Sequence, residues 1–295
     1  MPSWLLIVLM LLCILVVQRR DAFSIDPLRA LPAAGSVVML GIAIAVGRFG
    51  MRPRLEAGAT AFLQMTLFTV LGVVLAYALA ANAGMLWDNR LAAADRAMGF
   101  DWASLRAGLD TLPPAVWLLG IAYHSLILQM IVAIVLLSAL GRFDTLRTMV
   151  CAAILSGFVT ILVSGVTPAM GNLFDPTLYR HLWPSVAWQE QQLIAGLRDG
   201  SLRSLDLTML MGIVSFPSFH ASLAAIFIWA FRTVPRFAIP GGGWAMLTIF
   251  ATPIFGGHYA VDVLAGLILA PPAIIVARRL TQHAPAKLIG SASPA

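Results

Sequence analysis

Ala61 to Ala83 is an apolar run without a single charged side chain, long enough to cross a bilayer as one helix. Further apolar stretches follow over Pro113–Leu140, from Arg147 to about Ser164, Thr208–Phe231, Trp244–Phe255 and His258–Ala277. Shorter ones cover Trp4–Val17 and Ala33–Val46. Lipid offers no partner to an open backbone, so runs this long must satisfy their own N–H and C=O groups as helices. Only 11% of residues are charged while 60% are hydrophobic, and that balance excludes an ordinary soluble domain. The fold expected is all-α: a polytopic integral membrane helical bundle of about seven or eight spans.

Residues 85–110 have a different pattern. Leu91, Ala94, Met98, Trp102, Leu105 and Leu109 recur at helical spacing, with Asp88, Arg90, Asp95, Arg96 and Arg106 between them. This reads as an amphipathic helix at the membrane interface, its charges forming a solvated face rather than contacting substrate. The division expected is N-terminal spans over 1–84, a catalytic membrane domain over 85–280 and a disordered tail over 281–295. Within the second unit, 171–207 is the longest polar stretch and reads as an outer cap. Thr208–Phe231 reads as one helix and Pro240-Gly241-Gly242-Gly243 as a turn. Tyr123-His124-Ser125 reads as an interhelical hydrogen-bonding group. Cys13 and Cys151 lie in apolar runs as small core residues.

The net charge of +6 is carried almost wholly by arginine. No basic patch with interleaved aromatics appears, which excludes nucleic acid as a partner. The arginines instead mark topology. Arg142/Arg147, Arg232/Arg236 and Arg278/Arg279 fall on one side, the cytoplasm by the positive-inside rule. The 171–207 loop and Gly256-Gly257-His258 then face outward. Compact loops and a short tail fit a bacterial inner membrane, with the site facing the periplasm.

Two motifs interrupt the apolar runs: Ser215-Phe216-Pro217-Ser218-Phe219-His220-Ala221-Ser222 and Gly256-Gly257-His258-Tyr259-Ala260-Val261-Asp262. An ionisable group at such a place is costly and therefore usually functional. If His258 opens a helix, Asp262 lies one turn later on the same face. Its carboxylate can accept the imidazole N–H and fix the tautomer. His220 comes from a different helix. Two histidines and one carboxylate make a site for phosphoryl transfer, one imidazole attacking and the other handling the leaving group's proton. Two other readings stay open. The same residues could bind zinc for hydrolysis, although zincin-type spacing is absent. A non-enzymatic transporter or flippase could bind a lipid headgroup there, and would be expected to carry inverted repeats.

On these residues the chain resembles the type-2 phosphatidic acid phosphatase superfamily, above all the branch that includes inositol phosphorylceramide synthase. Weaker support comes from Asp95-Arg96-Ala97-Met98-Gly99-Phe100-Asp101-Trp102, Ala122-Tyr123-His124-Ser125 and Thr167-Pro168-Ala169. The resemblance implies that His258 is the nucleophile and that Asp262 orients it. It implies that His220 is the acid for the leaving alkoxide and then the base for the acceptor. Ser218 and the backbone around Phe219 would hydrogen-bond phosphate oxygens. The substrate implied is a lipid phosphate or phospholipid, with water or a lipid alcohol as acceptor and neither cofactor nor metal. The chain departs from the family pattern in three ways. Phe219 replaces a glycine, Thr252 stands where an arginine is usual, and no Lys-x6-Arg-Pro motif is present. Phosphoryl transfer calls for cations or several donors near the phosphate oxygens. By elimination, Arg180, Arg198 and Arg203 of the outer loop are the candidates.

Overall fold

The computed structural model describes residues 2–17, 23–208 and 211–282. The tail expected over 281–295 lies almost wholly outside them, as do Arg19 and Arg20. Among the described residues the chain is almost entirely helical. In order run α1 (Pro2–Val17), α2 (Pro27–Phe49), α3 (Pro53–Ala81), α4 (Asp88–Ala97), α5 (Trp102–Asp110), α6 (Pro113–His124) and α7 (Leu126–Ala139). Then follow α8 (Phe143–Val166), α9 (Val186–Asp199), α10 (Phe219–Phe231), α11 (Pro235–Ala251) and α12 (Ala260–Gln282). A parallel pairing of Ser24–Ile25 with Ser204–Leu205 is the strand structure present.

Among the described residues, five helical segments are long and apolar enough to span a membrane: α2, α3, α8, α11 with the π turn after it, and α12. A sixth candidate is α6 with α7, bent by 56° at Ser125. The shorter apolar helices α1 and α10 complete the bundle. Large apolar side chains such as Leu5, Val38, Ile127, Ile239 and Ile268 lie exposed on its outside, as lipid-facing residues do.

The centre is built from α3, α8, α10 and α12, with α1 laid against α3 and α8. Their shared core includes Met10, Leu75, Cys151, Ile154, Phe227 and Ala270. By contrast α2 packs chiefly on α3 and buries only Gly47. The hairpin between them is closed by the Arg48–Glu56 ion pair at 2.9 Å.

Three local expectations change. First, the single helix expected over 85–110 is two helices, broken at Gly99 with φ +85°. Because the two segments fold over the bundle, Asp95 and Arg106 are buried rather than solvated. Second, Pro240 to Gly243 is not a turn but part of α11. A Cβ at Gly241 would stand 2.9 Å from the Phe231 ring, so that glycine serves the packing of α11 on α10. Third, the helix expected from Thr208 begins only at Phe219. Pro217 lacks a backbone N–H and disfavours helix in the residue before it. Just upstream, the Tyr77 hydroxyl holds the backbone of Met211 at both its N–H and its C=O.

Candidate active site

The end of the non-helical segment Met211–Ser218 sets the first histidine. Ser218 is the N-cap of α10, its hydroxyl accepting the Ala221 N–H at 3.3 Å. His220 therefore sits in the first turn of α10. The second histidine follows a π turn, Thr252–Gly256, and Gly257 at φ +76°. A side chain at Gly257 would be strained by that φ and would also strike Ala187. His258 and Tyr259 precede α12, which starts at Ala260, so the histidine does not itself open the helix.

Asp262 lies in the first turn of α12 and is fully buried. Its Oδ2 accepts the Ser215 hydroxyl at 2.8 Å and the Tyr259 N–H at 2.9 Å, and stands 3.4 Å from Nδ1 of His258. With Nδ1 turned to a carboxylate, Nε2 of His258 faces the Ser218 hydroxyl at 3.4 Å. The His220 and His258 rings are 6.0 Å apart between centroids. Tyr123 of α6 stacks on His220 at 4.8 Å with 15° between the planes. Helices α10 and α12 approach so closely here that a Cβ at Gly266 would run into the Ser218 carbonyl. Tyr123, Ser215, His220 and His258 line one pocket together with Ala187, Glu190 and Ile194 of α9. Among the described residues, no group of three or more His, Cys, Asp and Glu is placed to hold a metal ion.

Around this pocket acidic side chains grip the backbone. Asp95 accepts the N–H groups of Ala260 at 2.8 Å and Val261 at 3.0 Å and the Trp102 indole N–H at 2.6 Å. A carboxylate on the first N–H groups of α12 complements the helix dipole. Asp88 accepts from Met170 N–H, Gly171 N–H and the Tyr259 hydroxyl. Burial together with Asp88 holds the Tyr259 hydroxyl well above the usual phenol range. Arg106 donates to the Asn172 carbonyl, and the Asn172 N–H in turn donates to the Gly257 carbonyl at 2.6 Å. Burial holds that guanidinium below its ordinary value. The segment over 171–207 is fastened by Asp110, which accepts the N–H groups of Arg180, His181 and Leu182.

His220, His258, Asp262 and Ser218 are thus brought together. The Phe219 side chain turns away, packing on Phe68 at 5.6 Å between ring centroids. Of the three loop arginines, Arg180 is exposed. Arg198 donates to the carbonyls of Ala83 and Gly84, and Arg203 to those of Leu197 and Leu202. None of the three lines the histidine pocket; Arg198 lines an adjoining one. Turn carbonyls left without helical partners attract such guanidinium groups. Ser125 fulfils the interhelical role expected at that place by accepting the Trp244 indole N–H of α11, and nearby Gln129 donates to Thr248 of the same helix. Sequence reasoning missed Ser215, Tyr123 and Glu190. Each left a signal: Ser215 opens the first motif, Tyr123 lies in the segment Ala122-Tyr123-His124-Ser125, and Glu190 is an acid inside the buried stripe Ala187, Ile194, Leu197 of α9.

A family model described as the PAP2 superfamily matches residues 89–276, well over half of the chain. The chain belongs to the PAP2 superfamily. The matched region runs from α4 into α12 and contains both motifs and every residue of the pocket. No curated protein and no solved structure matches the chain. PAP2 membership and the long apolar helices make this an integral membrane enzyme of the phosphatase and phosphotransferase type.

Proposed function

We propose that the protein is a lipid phosphatase or phosphotransferase that works through a phospho-histidine at His258. The observation that carries this reading is the arrangement of His258 between Asp262 at 3.4 Å and the Ser218 hydroxyl, with His220 across the same pocket. The Nδ1–H of His258 donates to Asp262, which leaves the Nε2 lone pair for attack on phosphorus. A P–N bond forms as the P–O bond to the alcohol breaks, and His220 delivers a proton to the departing alkoxide. His220 then takes the proton of the acceptor hydroxyl, whose oxygen attacks phosphorus and frees His258. Water as acceptor makes the protein a lipid phosphatase. A lipid alcohol makes it a transferase resembling inositol phosphorylceramide synthase.

The arginine pairs at Arg142/Arg147, Arg232/Arg236 and Arg278/Arg279 support a pocket on the opposite, extracytoplasmic face, and the compact loops support a bacterial inner membrane. In this reading residues 85–280 are the catalytic unit and 1–84 supply flanking spans.

The test is phosphate release from a panel of lipid phosphates in detergent, with and without a lipid alcohol. Free phosphate from wild type but not from His258→Ala supports the phosphatase. A new phospholipid that needs the alcohol and vanishes in the variant supports the transferase. Equal activity in both proteins removes the assignment of His258.

A further inference from the structure

We propose that Glu190 takes part as an uncharged carboxylic acid, donating a hydrogen bond to the phosphoryl group where a cation would otherwise stand. The proposal rests on the reading of the histidine pocket as a phosphoryl-transfer site.

Glu190 projects from the buried stripe of α9 into the pocket that holds His220 and His258. It is 5% exposed, and its Oε1 has no hydrogen-bond partner. No arginine or lysine lines that pocket among the described residues. An ionised carboxylate buried without a cation is far costlier than a neutral acid. Consistent with this, burial pushes the Glu190 carboxyl up to about 8. The group therefore keeps its proton at neutral pH.

A neutral carboxyl can donate to an anion; an ionised one would repel it. That distinction matters in a pocket that must stabilise phosphoryl charge with few donors. Ser215 already donates to Asp262, and the Ser218 hydroxyl, which accepts the Ala221 N–H, has a single proton to offer. Glu190 has no protein partner to give up. An apolar residue at this position would continue the stripe and avoid the burial cost, so Glu190 does nothing for the stability of α9.

The experiment uses the full-length protein in detergent, with orthovanadate as the phosphoryl mimic and lipid phosphate turnover as the second readout. Glu190→Gln keeps a donor of similar shape and is expected to stay within about threefold of wild type in both. Glu190→Leu removes the donor and is expected to lose on the order of 10²-fold in turnover and to weaken vanadate. The leucine variant should melt no lower than wild type, so its lost activity is not lost fold. Wild-type turnover and vanadate affinity in Glu190→Leu would overturn the proposal. So would a Glu190→Gln variant as poor as the leucine one, since that result requires an ionised carboxylate. A wild type that neither turns over any lipid phosphate nor binds vanadate overturns the phosphoryl-transfer reading itself, and this proposal with it.

Discussion

The Asp95 carboxylate accepts the N–H of Ala260 at 2.8 Å, although the two residues are 165 positions apart in the chain. This contact ties α4 to the first turn of α12, two residues after His258. The same carboxylate holds Val261 N–H and the Trp102 indole, so three donors depend on one buried acid.

Replacing Asp95 by alanine should therefore unfasten the start of α12. Each donor left unsatisfied in a buried place costs about 1–3 kcal/mol. Asp95→Ala is expected to lower the melting temperature in detergent clearly and to reduce turnover more than Arg90→Ala, a control on the same helix. An unchanged melting temperature would show that the clamp contributes nothing.

At Gly266, α12 packs directly on the start of α10, against the Ser218 carbonyl. A Cβ there must push the two helices apart and with them His220 and His258. Gly266→Ala is expected to cost about 1–3 kcal/mol of stability, as overpacking does. Its kcat should fall further than its melting temperature implies. A variant with wild-type kcat would show that the two helices tolerate separation.

Glu190 gives the stability of the protein a pH dependence whose sign is fixed. Burial raises its carboxyl from 4.5 to about 8 in the folded protein. Between those values the folded chain keeps a proton that the unfolded chain has released. Its contribution therefore lowers stability as pH rises through that window, and is constant above about 8. The difference in melting temperature between wild type and Glu190→Gln should grow in favour of the glutamine variant across the window. A pH-independent difference would contradict the buried, unpaired placement of the acid.

Asp262 stands 3.4 Å from Nδ1 of His258, the position of an orienting carboxylate in the proposed mechanism. Asp262→Asn keeps the shape but removes the charge that favours the reactive tautomer. Turnover is expected to fall on the order of 10²–10⁴-fold, the span typical of acid–base and orienting groups. The fall should appear in kcat rather than KM. A change confined to KM would instead make Asp262 a binding residue.

The sequence was legible where chemistry and spacing coincide. His258 and Asp262 are four residues apart, and that distance brings them together even though α12 begins only at Ala260. Elsewhere the pattern misled. The apolar residues before Ser215 look like a helix interior, yet they form the wall of the pocket. Gly241 looks like a turn residue, yet it is there to admit the Phe231 ring. Asp88 and Asp95 sit at the spacing of a solvated face, but their partners include distant backbone N–H groups, and such partners leave no trace in sequence. Arg198 and Arg203 were chosen by elimination, and turn carbonyls hold them instead.

The central claim is a covalent phosphoryl group on His258, and single-turnover labelling tests it most directly. Wild-type protein is mixed with a lipid phosphate labelled at phosphorus, quenched in base and digested for peptide mapping. The account predicts an acid-labile, base-stable label on the peptide that carries His258, absent from His258→Ala. Full turnover by His258→Ala, or a label on another residue, would contradict it.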